Sequence, residues 1–192
     1  MTVLILGLAV FIGVHSIHTF AAHWRDAQIA RFGMARWRAA FGVLSLVGMV
    51  LIVYGYGIAR HAPVMLWRPP FGIAHATALL TLIAFVLIVA AYVRGNHFKR
   101  ALGHPLLAGI ALWALGHLLA NGTLHDLLLF GVFLVWSVIA AVAARRRDRA
   151  AGVVYPAAVV SRDVLVVVIG VVAWAVFAFY LHGPLIGVRP LG

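Results

Sequence analysis

Two histidines lie inside segments that are otherwise apolar enough for a lipid bilayer. His117 is in the segment HPLLAGIALWALGHLLANG at 104–122, and His15 interrupts an equally apolar N-terminal segment. A titratable ring within hydrocarbon is costly unless it is paired or bound, so such residues indicate a functional site. These two rings are therefore the first candidates for the chemistry of this chain.

Three roles remain open for the two imidazoles. In antiparallel helices the rings are offset by about 10 Å, and the lean of each side chain toward its own N-terminus closes much of that gap. Two neutral imidazoles that face each other across an apolar slot suit the axial positions of haem iron. A zinc site would need a third or fourth ligand, which His75 or His104 could supply. The third role is hydrogen bonding to a helix backbone or to each other.

The composition indicates whether water or lipid surrounds the segments that contain these two histidines. The chain is 65% hydrophobic and 10% charged, with a mean hydropathy of +1.09. A soluble domain of this size needs far more charge on its surface. The composition therefore excludes a soluble globular protein and predicts that lipid surrounds most of the chain.

Apolar runs long enough to span a bilayer recur along the chain. They are continuously apolar and do not alternate, so they predict helices rather than the strands of a barrel. We predict an all-α, polytopic transmembrane bundle forming a single domain over 1–192, with a peripheral last helix at 163–181. Five glycines favour close helix approach: Gly48, Gly55, Gly57, Gly109 and Gly116. The six predicted spans are 2–22, 38–59, 72–93, 104–121, 124–143 and 163–181.

The basic residues follow the predicted topology. Twelve of the 15 Lys and Arg fall on one side of the predicted spans, whereas Arg60, Arg68 and Arg189 fall on the other. This positive-inside bias predicts a multi-pass protein of the bacterial inner membrane with both termini periplasmic. Because topology explains the +11 net charge, the sequence disfavours nucleic acid as a partner.

The remaining polar residues narrow the chemistry further. All four acidic residues fall in predicted loops or at helix ends, which disfavours a proton-coupled transporter with a buried carboxylate relay. The sequence has no cysteine, which excludes thiolate chemistry. Five histidines fall at predicted interfaces or loops and are expected to be wetted: His23, His61, His97, His125 and His182.

Several motifs together resemble the NnrU family, over about the first 145 residues. They are Gly-Val-His-Ser at 13–16, Pro-Pro-Phe-Gly-Ile-Ala-His at 69–75, Ala-Tyr-Val at 91–93, and His-Pro at 104–105 followed by 112–122. NnrU proteins are named for genes that lie near those of nitrite and nitric oxide reductases in denitrifying bacteria. The family is similar, more distantly, to the 15-cis-zeta-carotene isomerase, a membrane enzyme with a histidine-bound haem b.

The resemblance carries specific expectations about the site. The isomerase's haem-ligand histidines fall on His15 and His117, and His104 is a further shared histidine. The cysteine that the isomerase has three residues before its second histidine is replaced by Ala114, which weakens transfer of the isomerase activity. If the propionates of a haem pointed outward, Arg60, Arg68 or His61 could pair with them.

Two functions follow from the resemblance. The first is a redox-gated cis–trans isomerase that acts on a lipid-soluble polyene such as a carotenoid. The second is a non-catalytic haem-binding or assembly protein that serves the respiratory nitrogen-oxide reductases. Both expect haem b as the cofactor and the lipid bilayer as a partner.

Overall fold

A computed structural model describes residues 1–190, and within them the fold is helical throughout. A π-helical turn, Phe177–Leu181, follows the eighth of nine α-helices. Leu191 and Gly192, which the predicted single domain includes, lie outside the described residues. The α-helices are α1 Thr2–Phe20, α2 Ala22–Phe32, α3 Met34–Ala59, α4 Ile73–Tyr92, α5 His97–Leu102, α6 Pro105–Ala120, α7 Leu124–Ala150, α8 Val160–Val176 and α9 His182–Ile186.

The prediction of an all-α transmembrane architecture is confirmed. Five helices are long and apolar enough to cross a membrane, with α8, the π-helical turn and α9 together forming the last, and α6 is a shorter apolar helix. The helix boundaries differ most from the sequence prediction at two places. The predicted loop after Ala22 contains α2, and α7 continues through its arginines to Ala150 because Arg and Ala are good helix formers.

The chain divides into two compact units, each packed mainly within itself. The first comprises Met1–Leu66 and Thr123–Val132, and the second comprises Trp67–Gly122 together with the described residues from Phe133 onward. The histidines singled out above belong to different units: His15 lies in the first and His117 in the second.

In the first unit, α1 packs along α3 at glycines. A Cβ on Gly55 would overlap the backbone of Leu4, and one on Gly48 would lie 2.8 Å from the backbone nitrogen of Phe11. The absence of side chains at these points lets the two backbones approach closely, as in membrane helix pairs. Gly57 was predicted to act in the same way, but nothing lies within 4 Å of its Cβ position, so that prediction is wrong.

In the second unit, α4 is the central helix and packs against both α6 and α8. A Cβ on Gly109 of α6 would lie 2.8 Å from the carbonyl oxygen of Ala84. On the α8 side, a Cβ on Gly170 would lie 2.7 Å from the Cα of Val86. The last membrane helix is thus packed on α4 through a glycine, as α6 is.

Candidate functional site

An apolar cavity of about 240 Å³ lies within the second unit. It is partly open, and α4, α6, α8, the π-helical turn and the C-terminal segment form its walls. Four large aromatic side chains belong to the lining and most of its exposed surface is apolar, which is the usual make-up of a site for an apolar ligand. The side chains used below are Thr81, Trp113, His117, Trp174, His182 and Arg189.

His117 reaches this cavity from the last turn of α6. Its Nδ1 donates a hydrogen bond to the carbonyl oxygen of Trp113, at 2.8 Å, and the two rings are tilted with centroids 5.2 Å apart. Because a carbonyl can only accept, Nδ1 carries the proton, and the lone pair of the neutral ring lies on Nε2. This arrangement, in which one ring nitrogen is held by a carbonyl, is the usual preparation of a metal-binding histidine.

The polar groups of the cavity wall are tied within the protein. The Trp174 indole N–H donates to the Thr81 hydroxyl at 3.0 Å, and that hydroxyl donates to the Ala78 carbonyl at 3.0 Å. The Thr77 hydroxyl donates to the Gly116 carbonyl at 2.9 Å, which joins α4 to α6 beside His117. These hydrogen bonds satisfy the hydroxyls and the indole internally, so the wall offers a ligand mainly apolar surface.

The C-terminal segment contributes two basic residues that sequence reasoning did not assign to the site. His182 Nδ1 donates to the Val188 carbonyl at 2.6 Å, which holds the segment after α9 against the end of the π-helical turn. Arg189 follows at once and lines the cavity with His182. A π-helical turn often marks a functional site, but the continuously apolar sequence of this region does not predict where the turn occurs. The signal that was available was Arg189 itself, the last basic residue of an apolar C-terminal region.

His15 is prepared in the same way within the first unit. Its Nδ1 donates to the carbonyl oxygen of Phe11 at 2.7 Å. The Phe11 ring stacks on the imidazole with centroids 4.1 Å apart, and Phe41 contacts it edge-on at 5.0 Å. The ring is thus held among aromatic neighbours, with Nδ1 protonated and the lone pair on Nε2. The convergence of His15 and His117 on one ligand stays a prediction.

Two other predicted site residues, His104 and His75, are not among the described residues that line the cavity of His117. His104 precedes α6, at the opposite end of the helix and about 20 Å along its axis. There its Nε2 lies 2.8 Å from the Asp148 carboxylate. His75 lies in the first turn of α4, where it is exposed. It is absent from the described lining of the cavity, although Ala74 and Thr77 on either side of it contribute to that lining.

The two arginines predicted to pair with haem propionates are not among the described residues that line the cavity of the second unit. Arg60 caps the C-terminus of α3 in the first unit, and its guanidinium lies 6.0 Å from the centre of the Tyr56 ring. Arg68 is exposed in the segment that precedes α4. Of the cations considered, Arg189 is the one that lines the cavity to which His117 belongs.

A polyligand metal site finds no support in residues 1–190. No group of three or more His, Cys, Asp or Glu is placed there so that it could hold a metal ion. The zinc alternative needs three or four protein ligands, so the described geometry does not favour it. A haem iron would need at most two protein side chains as ligands.

One buried polar cluster was missed by sequence reasoning. Asp126 begins α7 as expected but is only 3% exposed, and it accepts a hydrogen bond of 2.6 Å from the Tyr56 hydroxyl. Its other oxygen accepts from the Thr123 hydroxyl at 2.5 Å, and the Asp126 N–H lies 3.4 Å from that hydroxyl oxygen. The neighbouring His125 was predicted to be wetted, but at 5% exposure it is buried against Tyr56. The cluster caps α7 and joins it to α3.

Comparison with known proteins identifies one family. The family model described as NnrU protein matches residues 3–190, which is nearly the whole chain. The match therefore includes the last membrane helix and the segment that contains His182 and Arg189. No curated protein and no solved structure matches the chain.

Proposed function

Since the chain belongs to the NnrU family and has the apolar helices of a multi-pass membrane protein, we propose that it binds haem b through His15 and His117. The observation that carries the proposal is the preparation of each imidazole. In both, Nδ1–H is tied to the carbonyl four residues earlier, so that the lone pair lies on Nε2 within an apolar helix. The proposal rests on each ring within its own unit.

The surroundings of His117 fit a porphyrin. The cavity offers aromatic walls on α6 and α8, including Trp113 and Trp174, and it carries Arg189 as a cation for acidic groups. When bound, haem b supplies a one-electron iron couple whose potential depends on its ligands and on the polarity around it. The protein's part is to hold the His117 ring in a fixed orientation and to exclude water from the aromatic walls. Arg60 and Arg68 remain alternative partners for the acidic groups.

The reaction that we propose is cis–trans isomerisation of a lipid-soluble polyene. Such a reaction changes the geometry of a double bond without net gain or loss of atoms or electrons. A long apolar substrate reaches a membrane site from the lipid, and the cavity of the second unit is partly open and lined mainly by apolar surface. The Trp174 indole N–H and the Thr81 hydroxyl are hydrogen-bonded to each other, so this part of the wall does not favour a polar ligand.

The second candidate is a non-catalytic haem-binding or assembly role beside nitrite and nitric oxide reductases in the bacterial inner membrane. The observation that favours it is Ala114. This residue is fully buried one turn before His117, at the position where the resembling isomerase has a cysteine. The Ala114 methyl group has no atom that could bind iron. If haem were bound, this side chain could not replace either histidine as a ligand.

The test is the absorption spectrum of the purified full chain, oxidised and then reduced with dithionite. We expect a Soret band that shifts on reduction and that is lost or changes coordination in both His15→Ala and His117→Ala. His23→Ala is the matched control, because His23 is an exposed histidine of α2 that has no part in the proposal, and it should leave the band unchanged.

Three outcomes separate the hypotheses. A colourless wild-type protein expressed with ample haem would contradict the proposal altogether. Conversion of a cis polyene by the reduced protein, lost in His117→Ala, would support the isomerase. A stable six-coordinate haem without conversion, together with loss of nitric oxide reductase activity on gene deletion, would support the accessory role.

A further inference from the structure

Two small cavities lined by cations lie side by side at the other end of the second unit, where α5 and the loop 151–159 meet the ends of α4, α6 and α7. Arg100 and Tyr155 line both of them. The remaining cations are Arg94 and Lys99 in the first cavity, and Arg145 and Arg149 in the second. The two cavities therefore share a wall that contains one arginine.

The backbone around these cavities is held in place by specific contacts. Asn96 is 1% exposed; its side chain caps α5 by accepting from the Lys99 N–H at 2.7 Å and donates to the Ala90 carbonyl at 2.9 Å. Gly95 accepts from the Val159 N–H at 3.0 Å, which fixes the end of the loop. A Cβ on Gly103 would lie 2.7 Å from the Tyr155 hydroxyl, so this glycine makes room for the shared wall.

The hydrogen bonds that orient two of these cations go to neutral carbonyls and not to carboxylates. The Lys99 ammonium donates to the Ala91 carbonyl at 2.7 Å. The Arg145 guanidinium donates to the carbonyls of Leu102 and Ala101 at 3.0 and 3.1 Å. Among the described lining residues Asp148 is the one carboxylate, and it already accepts hydrogen bonds from Tyr155 and His104. The described lining thus has five Lys and Arg against one carboxylate, which leaves a net positive charge for an anion from outside the chain.

Topology alone does not account for this arrangement. The positive-inside rule places Lys and Arg at this end of the helices in any order. Arg146 follows Arg145 directly and is exposed, yet it is absent from the described lining of both cavities. The structure therefore distinguishes cations that are grouped around a cavity from one that is merely on the same surface.

We propose that the two cavities bind the headgroup of an anionic phospholipid with two phosphates, one in each cavity, and that Arg100 contacts both. Guanidinium groups match phosphate oxygens in geometry and charge. Basic pockets between transmembrane helices are known to accept such headgroups at the membrane surface. The acyl chains would lie along the apolar outer faces of α4 and α7, where Tyr92 is 74% exposed.

The experiment uses the full chain in detergent and measures lipid binding by native mass spectrometry and by the shift in unfolding temperature. The probes are diphosphatidylglycerol, phosphatidylglycerol at equal total phosphate, phosphatidylcholine and inorganic phosphate. We expect diphosphatidylglycerol to bind most tightly and to raise the unfolding temperature most. Arg100→Gln should weaken its apparent affinity by about fivefold or more, since each such charge contributes on that scale.

Arg146→Gln is the matched control and should bind diphosphatidylglycerol as the wild type does. Equal weakening in Arg146→Gln and Arg100→Gln would overturn the proposal in favour of general surface charge. The same protection by inorganic phosphate would show free phosphate to be the ligand and overturn the lipid assignment. Equal affinity for phosphatidylglycerol at matched phosphate would overturn the two-phosphate headgroup.

A second variant keeps the test decisive if Arg100→Gln does not fold. Arg94 is exposed and lines only the first cavity. We expect Arg94→Gln to weaken diphosphatidylglycerol binding while leaving phosphatidylglycerol binding largely intact through the second cavity. Unchanged binding of diphosphatidylglycerol by a folded Arg94→Gln variant would contradict a site that spans both cavities.

Discussion

At the scale of single residues, hydrogen bonds to backbone carbonyls decide which ring nitrogen of a histidine carries the proton. His117 and His15 each lose the Nδ1 proton donor to a carbonyl of their own helix. His104 is used differently, because its Nε2 meets the Asp148 carboxylate. Histidine therefore has two roles here: His15 and His117 are held by carbonyls of their own apolar helices, whereas His104 pairs with a carboxylate at the basic end of the second unit.

Tyr155 supports a prediction about pH. Burial, and then its hydrogen bond to Asp148, raise the pKa of Tyr155 to about 12 from an ordinary value of 10.0. Because the folded state favours the protonated phenol, its contribution to stability is fully present below about pH 10 and is lost as the pH rises through about 12. We expect the tyrosinate absorbance of the wild type, minus that of Tyr155→Phe, to appear only in that upper range. A difference signal that titrates at the ordinary value would contradict the raised pKa of the Tyr155 phenol and its hydrogen bond to Asp148.

At the scale of helices, small residues set which elements pack together. Gly48 and Gly55 bring α3 against α1, whereas Gly109 and Gly170 bring α6 and α8 against α4. Four of the five glycines that the sequence indicated do lie at close approaches, since Gly116 also faces Leu80 at 3.3 Å. Gly57 does not, because glycine spacing alone cannot say which face of α3 meets a partner.

Gly55 and Gly57 form a matched pair for testing this packing. In Gly55→Ala the new methyl would overlap the backbone of Leu4, so α1 and α3 must separate. We expect a loss of stability of about 1–3 kcal/mol, the range for overpacked interiors. Gly57→Ala meets nothing within 4 Å and should be neutral or slightly stabilising, since alanine favours helix. Thermal unfolding in detergent compares them, and equal effects would contradict the assigned helix contact.

At the scale of the whole molecule, the distribution of charge predicts orientation. Twelve of the 15 Lys and Arg lie on one side of the predicted spans, which is the side expected to face the cytoplasm. The four acidic residues contribute little to this bias, which depends on Lys and Arg. Three of them pair with histidine or arginine, and Asp126 is buried in the α7 cap. A positively charged surface of this kind also attracts anionic lipid.

The chain has no cysteine, so single-cysteine variants report orientation directly. Ala62 and Ala151 are exposed and lie on opposite sides of the predicted topology. We expect a membrane-impermeant thiol reagent to label Ala62→Cys in intact bacteria, and Ala151→Cys only after the membrane is opened. The reverse pattern of labelling would show that the topology is inverted.

The sequence by itself determined the solvent, the helical class and the two candidate histidines. Each of these follows from local properties: continuous apolar runs, the lack of carboxylates within them, and titratable rings that hydrocarbon disfavours. Family membership was also legible in short motifs, such as those around His75 and His117, because they are contiguous in the chain.

Only the tertiary structure decided which residues share a site. It placed Arg189 and His182 in the cavity with His117 and joined Asp148 to His104 and Tyr155. It also buried His125, which the sequence predicted to be wetted. These outcomes depend on close approaches between distant helices, such as Gly170 on Val86. Hydropathy marks which residues avoid water, but in a membrane nearly every helical face does so, and packing alone selects which faces meet.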